Sequence, residues 1–190
     1  WFALHGVRVQ CVEGSHDAIG QSLLSKAVPE NINVLVEHDF SRGPWWPAET
    51  FDVAWAVEFL EHVGINYQYN YIQAFRKAAI LCVTSSRWGG WHHVEVHKDD
   101  WWIRKYEAYG FRYDDSLTQK LRAIAQKEQQ AGDIAPNGEK YNAQHLWLSL
   151  KVFINPAVAA LPEHAHLFFE HGCFESREKP NRKCGTGKQG

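Results

Sequence analysis

Apolar and polar positions change period repeatedly along these 190 residues, and each change marks an element. Trp1 to His5 reads as the last turn of a helix stopped by Gly6. Val7-Arg8-Val9-Gln10-Cys11-Val12 alternates and is rich in β-branched residues, which predicts a strand ending at Glu13-Gly14-Ser15. Over 16–27, Ala18, Ile19, Leu23 and Leu24 recur at helical spacing, with Ser15 or Asp17 as N-cap and Pro29 closing the helix. Residues 33–38 predict a second strand, 41–50 a loop carrying Gly43, Pro44 and Pro47, and 51–57 a third strand. A helix over 66–77 follows. Residues 79–84 then form a continuous apolar run, the signature of a strand buried on both faces of a sheet.

The second half continues the alternation. Residues 87–97 make a loop dense in Trp, Gly and His. Residues 98–109 predict an amphipathic helix carrying Trp101, Trp102, Ile103 and Tyr106, stopped by Gly110. A short strand over 111–113, a polar helix over 116–130, a loop over 133–141 and a last strand over 145–154 complete the pattern before Pro156. Strands alternating with helices predict an α/β fold with a mostly parallel sheet and an antiparallel C-terminal edge strand. The expected domain covers 1–156. Residues 157–190, turning to His, Lys, Gly and Pro, are expected to be an irregular, partly disordered tail.

Composition narrows the classes. Hydrophobic residues at 45% and charged residues at 22% describe a globular chain with a full core. The formal net charge of −2 supplies no global attraction to nucleic acid or anionic lipid, so neither is an expected partner. No apolar run approaches the ~20 residues of a membrane span. The four cysteines, Cys11, Cys82, Cys173 and Cys184, lack paired spacing and are expected to be reduced, in a cytoplasmic setting. The chain opens on Trp1 and contains no methionine, so a preceding segment is expected to be missing.

Candidate chemistry gathers where strands end. Phe51-Asp52-Val53-Ala54-Trp55-Ala56-Val57 runs into Glu58, Glu61 and His62, placing acid and imidazole at the carboxyl edge of the sheet. Glu13, followed by Gly14, stands at the end of the first strand, where a carboxylate suits ribose hydroxyls because it only accepts hydrogen bonds. Asp39-Phe40 ends the next strand, an acid and a ring suited to an adenine's amine and face; a turn-initiating Asp is the plain alternative.

Taken in order, these segments resemble class I S-adenosylmethionine-dependent methyltransferases. Val9 to Ser15 is similar to the family's second-strand acidic motif, His38-Asp39-Phe40 to its adenine motif, and Glu58-Phe59-Leu60-Glu61-His62 to its fourth-strand motif. His92-His93-Val94, Trp101-Trp102-Ile103 and Tyr109-Gly110-Phe111 resemble a later run found in many members. The resemblance implies a Rossmann-like three-layer sandwich whose first strand, with its glycine motif, is missing from these residues. It implies S-adenosylmethionine as cofactor, bound by Glu13, Gly14, Asp39, Phe40, Val57 and Glu58. It places Glu61 or His62 nearest the methyl acceptor, with His92 or His93 second, the acceptor being a small molecule or another group that the sequence does not select. A non-catalytic methyltransferase-like binding module stays open beside it, as does a nicotinamide-dependent oxidoreductase, since Glu13 suits either ribose.

No metal is expected. His92, His93 and His97, and the tail's His164, His166, His171 and Cys173, lack the helix spacing or paired-cysteine spacing of zinc sites. Trp45, Trp46, Trp88, Trp91, Trp101 and Trp102 gather in or beside loops, where they would line a pocket or serve as ordinary packing.

Overall fold

The computed structural model describes residues 2–22, 24, 34–132, 134, 138, 140 and 142–168. The chain forms two compact units, 1–46 with 66–74, and 47–65 with 75–190.

In the first unit, β1 (Gln10–Glu13) pairs in parallel with β2 (Val34–Glu37), Glu13 standing opposite Glu37. A 3-10 turn, Ala3–His5, precedes β1 and ends at Gly6 with φ +77°, the left-handed stop that the sequence predicts. Between the strands, α1 (His16–Gln21) starts at Ser15, whose hydroxyl accepts the Ala18 N–H. The rest of the expected 16–27 helix lies largely outside the described residues. After β2, Asp39 caps a 3-10 turn, Phe40–Arg42. The helix α2 (Gln68–Phe75) contributes Asn70, whose amide donates to the Phe40 carbonyl at 2.6 Å.

The second unit holds a four-stranded sheet of β3 (Phe51–Ala56), β4 (Ala78–Val83), β5 (Arg112–Tyr113) and β6 (Lys151–Ile154) in the order β3-β4-β6-β5. β3 and β4 run parallel; β6 is antiparallel to both β4 and β5. The sheet is therefore mixed and small. The last two strands form an antiparallel pair at one edge, as expected, but the C-terminal strand β6 is internal and β5 is the outermost. Both faces of β4 and β6 are covered, as the unbroken apolar run of β4 requires, and every residue of β6, Lys151 included, is buried. On one face Cys82, Leu150 and Val152 pack with Leu117, Leu121 and Leu146 of α4 (Asp115–Ala131) and α5 (Gln144–Ser149). On the other, Phe153 meets Tyr106 of α3 (Asp99–Ala108), ring centroids 5.1 Å apart, with Trp102 fully buried nearby on the same helix. Burial pushes the Cys82 thiol up to about 12, and both Cys11 and Cys82 are free.

Two further expectations change. Residues 145–154 divide into α5 and β6 rather than one strand. Leu146 and Leu150 lie four residues apart, a helical interval, and the Ser149 hydroxyl donates back to the His145 carbonyl at 3.0 Å. Only four residues find strand partners. Beyond Asn155 the chain is not irregular at once: α6 (Pro156–Ala159) and a 3-10 helix, Pro162–Phe168, follow. His164 is buried, 2.8 Å from Asp52 Oδ1 and 2.9 Å from Thr50 Oγ1, which fixes this helix to the start of β3. The tail after 168, with His171, Cys173 and Cys184, lies outside the described residues.

Candidate functional site

The carboxyl end of β3 is where chemistry concentrates in the second unit. After Ala56 the chain turns through Val57, which is half-buried, into Glu58. Glu58 has φ +53°, a left-handed conformation uncommon for any residue with a Cβ. Its N–H donates to Thr84 Oγ1 at 3.0 Å, while the Thr84 N–H donates to the Ala56 carbonyl at 3.1 Å. These two bonds stitch the turn to the residue that follows β4 and hold Glu58 in place. The Glu58 carboxylate lies 2.8 Å from His145 Nδ1. Burial, then the neighbouring Glu61 carboxylate, raises the Glu58 carboxyl above its usual range, against the pull of His145.

A 3-10 turn, Leu60–His62, follows directly. Leu60 and Glu61 are both 0% exposed. Leu60 anchors the turn in the core, and its neighbour Glu61 is carried inward with it. The Glu61 carbonyl accepts the N–H groups of Val94 and Glu95 at 2.8 and 3.1 Å, pinning the turn to the segment after the His-His pair. Apart from the neighbouring Glu58 carboxyl, neither Glu61 carboxylate oxygen has a hydrogen-bond partner among the described residues, an expensive state for a buried acid.

Two imidazoles stand beside that carboxylate. His62 Nδ1 lies 3.1 Å from the His92 carbonyl, and His93 Nδ1 lies 2.9 Å from the Trp88 carbonyl. A carbonyl can only accept, so each Nδ1 carries a proton, which leaves Nε2 as the nitrogen able to offer a lone pair. The rings meet edge to face, centroids 4.9 Å apart. Potential ligand atoms from Glu61, His62 and His93 all lie within 4.8 Å of one another. A Cβ on Gly90 would come within 2.7 Å of the His93 ring, so only glycine leaves room for that ring.

The structure thus separates residues that the sequence presented together. His92, the expected site residue, has φ +55°, is exposed, and offers its carbonyl to His62 while its ring lies against Trp91. His93 is the one whose ring joins Glu61 and His62. The adjacent histidines were a signal, but sequence does not say which faces inward. His145 beside Glu58 has no signal in the sequence, since its alternating apolar neighbours predict a strand where the chain forms α5.

In the first unit, the other expected site residues are also close to one another. Glu13 Oε1 accepts the Ser15 N–H at 2.8 Å, and the Glu13 carbonyl accepts the His38 N–H at 2.9 Å. A Cβ at Gly14 would stand 3.3 Å from Asp39 Cα, so glycine lets the turn after β1 press against the end of β2. Asp39 accepts from the Ser41 N–H at 2.8 Å and the Ser41 hydroxyl at 2.7 Å. The Ser41 hydroxyl, then its N–H, holds the Asp39 carboxyl below its usual range. Asp39 is thus a turn-initiating residue, the plain alternative to an adenine contact. Phe40 packs edge-on with His38 and Tyr71.

No protein-family model matches this chain, and no curated protein matches it. What the arrangement can do must follow from its groups. The first unit presents carboxylate acceptors at the carboxyl ends of two parallel strands. The second presents a strained glutamate, a buried carboxylate beside it and two oriented imidazoles. The tryptophans divide: Trp102 is core, whereas Trp88 and Trp91 are 62% and 85% exposed in the loop that carries His93. A polar cleft lined by Gln129, Lys140, Asn142, Gln144 and Trp147 contains none of the expected site residues.

Proposed function

We propose that this protein is an S-adenosylmethionine-dependent methyltransferase with a Rossmann-like fold. The observation that carries the reading is Glu58: a non-glycine residue held at φ +53° at the carboxyl end of β3, leading straight into Glu61 and His62. Backbone strain of this kind costs on the order of 1–3 kcal/mol, persists only where the surrounding structure over-determines it, and clusters at active sites and ligand clamps.

The residues of the first unit suit an adenosine. Glu13 Oε1 is occupied by Ser15, which orients the carboxylate, and its remaining lone pairs can accept ribose hydroxyls. Gly14 keeps the backbone free of a Cβ where a nucleoside would approach. Asp39 and Phe40 offer an acceptor and a ring face to the base. Taken by itself, the second unit offers Val57 and Glu58 to a charged, amino-acid-like group and Glu61 and His62 to a methyl acceptor, with the His92 carbonyl fixing the His62 ring. When bound, the cofactor supplies an electrophilic methyl group on its sulfonium. The chain's own contribution is then orientation of the two reactants, the largest lever available to such a reaction.

Calorimetric titration of S-adenosylmethionine into the protein tests this. Binding is expected in the wild type, with Glu13→Ala weakening it about tenfold, the loss of a charge-assisted pair of hydrogen bonds. Unchanged affinity in Glu13→Ala, or a folded wild type that does not bind, would overturn the reading.

A further inference from the structure

We propose that Glu61, His62 and His93 bind a divalent transition-metal ion, with Glu58 beside it. Glu61 is fully buried, and apart from the neighbouring Glu58 carboxyl its oxygens have no hydrogen-bond partner among the described residues. Two carboxyls crowded together at a buried position call for a cation, and no Lys or Arg pairs with Glu61 among the described residues. What surrounds it instead is two imidazoles whose Nδ1 atoms are tied to carbonyls, leaving the Nε2 lone pairs as donors. A ligating histidine normally has its other nitrogen held in this way.

The dimensions agree. Donors bound at about 2.1 Å to one ion lie at most about 4.2 Å apart. The three groups, already within 4.8 Å, close on an ion with small side-chain movements. The backbone has been shaped to bring them there: the Glu61 carbonyl holds Val94 and Glu95, Gly90 leaves space for the His93 ring, and the strained residues Glu58 and His92 flank the group. Two imidazoles and one carboxylate favour Zn²⁺, Co²⁺, Mn²⁺ or Fe²⁺ over Mg²⁺ or Ca²⁺, which prefer oxygen alone. Three protein ligands leave coordination positions open, the pattern of reactive rather than purely structural metal sites. This assignment stands whether or not the protein transfers methyl groups. If it does, an open position would seat an acceptor through an oxygen or nitrogen lone pair.

The test uses the full chain stripped with a chelator, titrated with Zn²⁺ by calorimetry and with Co²⁺ by visible absorption, without S-adenosylmethionine. One ion per chain is expected. Glu61→Gln and His93→Ala should each weaken binding about 100-fold, and Gly90→Ala about tenfold by displacing the His93 ring. His97→Ala, in the same loop but held by Glu95, should stay within about twofold of wild type. Metal-free Glu61→Gln should melt above metal-free wild type and lose the rise in Tm that Zn²⁺ confers. No binding by folded wild type overturns the site, as does binding that Glu61→Gln, His93→Ala and Gly90→Ala all leave intact. Should Glu61→Gln fail to fold, His93→Ala and Gly90→Ala decide it. Failure here leaves cofactor binding untouched, so the two readings fall separately.

Discussion

Glu58 shows what a single residue is asked to do. Its φ of +53° would suit glycine, and its carboxyl is pushed up by burial and by Glu61. Both features oppose stability, so replacing it should relieve the fold. Glu58→Gly is expected to raise stability by about 1 kcal/mol, the net of strain relief and the extra freedom of the unfolded chain. For a chain of this size that is a Tm rise of about 2–4 °C in a thermal scan. Activity should fall in the same variant. A lower Tm would show that the His145 contact outweighs the strain. Sequence alone revealed the acid and imidazole types at this strand end, because such residues after an apolar run are conspicuous. It could not reveal φ, nor which of His92 and His93 faces inward, because those depend on how the loop folds back onto Glu61.

At the scale of elements, Thr118 carries an attachment out of proportion to its size. It and Val152 are both 0% exposed. Its hydroxyl donates to the Asp114 carbonyl at 2.7 Å and accepts the Val152 N–H at 3.0 Å, joining the first turn of α4 to β6. Thr118→Val keeps the shape but orphans a buried donor. It should cost on the order of 2 kcal/mol in urea unfolding and speed hydrogen exchange at the Val152 amide. An effect below about 0.5 kcal/mol would mean that another acceptor reaches that N–H. Most elements were legible because their periods are clean: 51–57, 79–84, 98–109 and 116–130 each match a strand or helix to within a residue or two. The run 145–154 was not, since Leu146, Leu148 and Leu150 fit alternation while Leu146 and Leu150 also fit a helical turn. What decides is the Lys151–Ile154 pairing with β4, a long-range contact that no local pattern contains. The same holds for His164, whose partners Thr50 and Asp52 lie more than a hundred residues away.

At the scale of the whole molecule, a net charge of −2 conceals a strongly polar interior in the second unit. Lys151 lies in β6 with its side chain 0% exposed, 3.0 Å from Asp99 Oδ1 and donating to Ser85 Oγ and the Ser149 carbonyl. Arg87 and Arg122 also pair with Asp99, so one carboxylate serves three cations. Burial alone would raise the Asp99 carboxyl, but hydrogen bonds and charge from Arg87 and Lys151 hold it low. For Lys151 burial wins, and the ammonium falls from 10.5 to about 8 despite Asp99. The consequence for stability has a definite sign. Between pH 8 and 10.5 the unfolded chain keeps a proton that the folded chain has released, so the Lys151 contribution to stability increases with pH across that window. Below pH 8 both states are protonated, and the cost of the buried ammonium is present in full. The change corresponds to on the order of 3 kcal/mol. Lys151→Met removes the titrating group and leaves Asp99 paired with Arg87 and Arg122, so its own profile should lack this increment. Measured by urea unfolding at pH 7 and pH 10.5, wild type should gain about 3 kcal/mol relative to Lys151→Met. Parallel profiles for the two proteins would show that Lys151 keeps its charge throughout and that Asp99, not burial, governs this cluster.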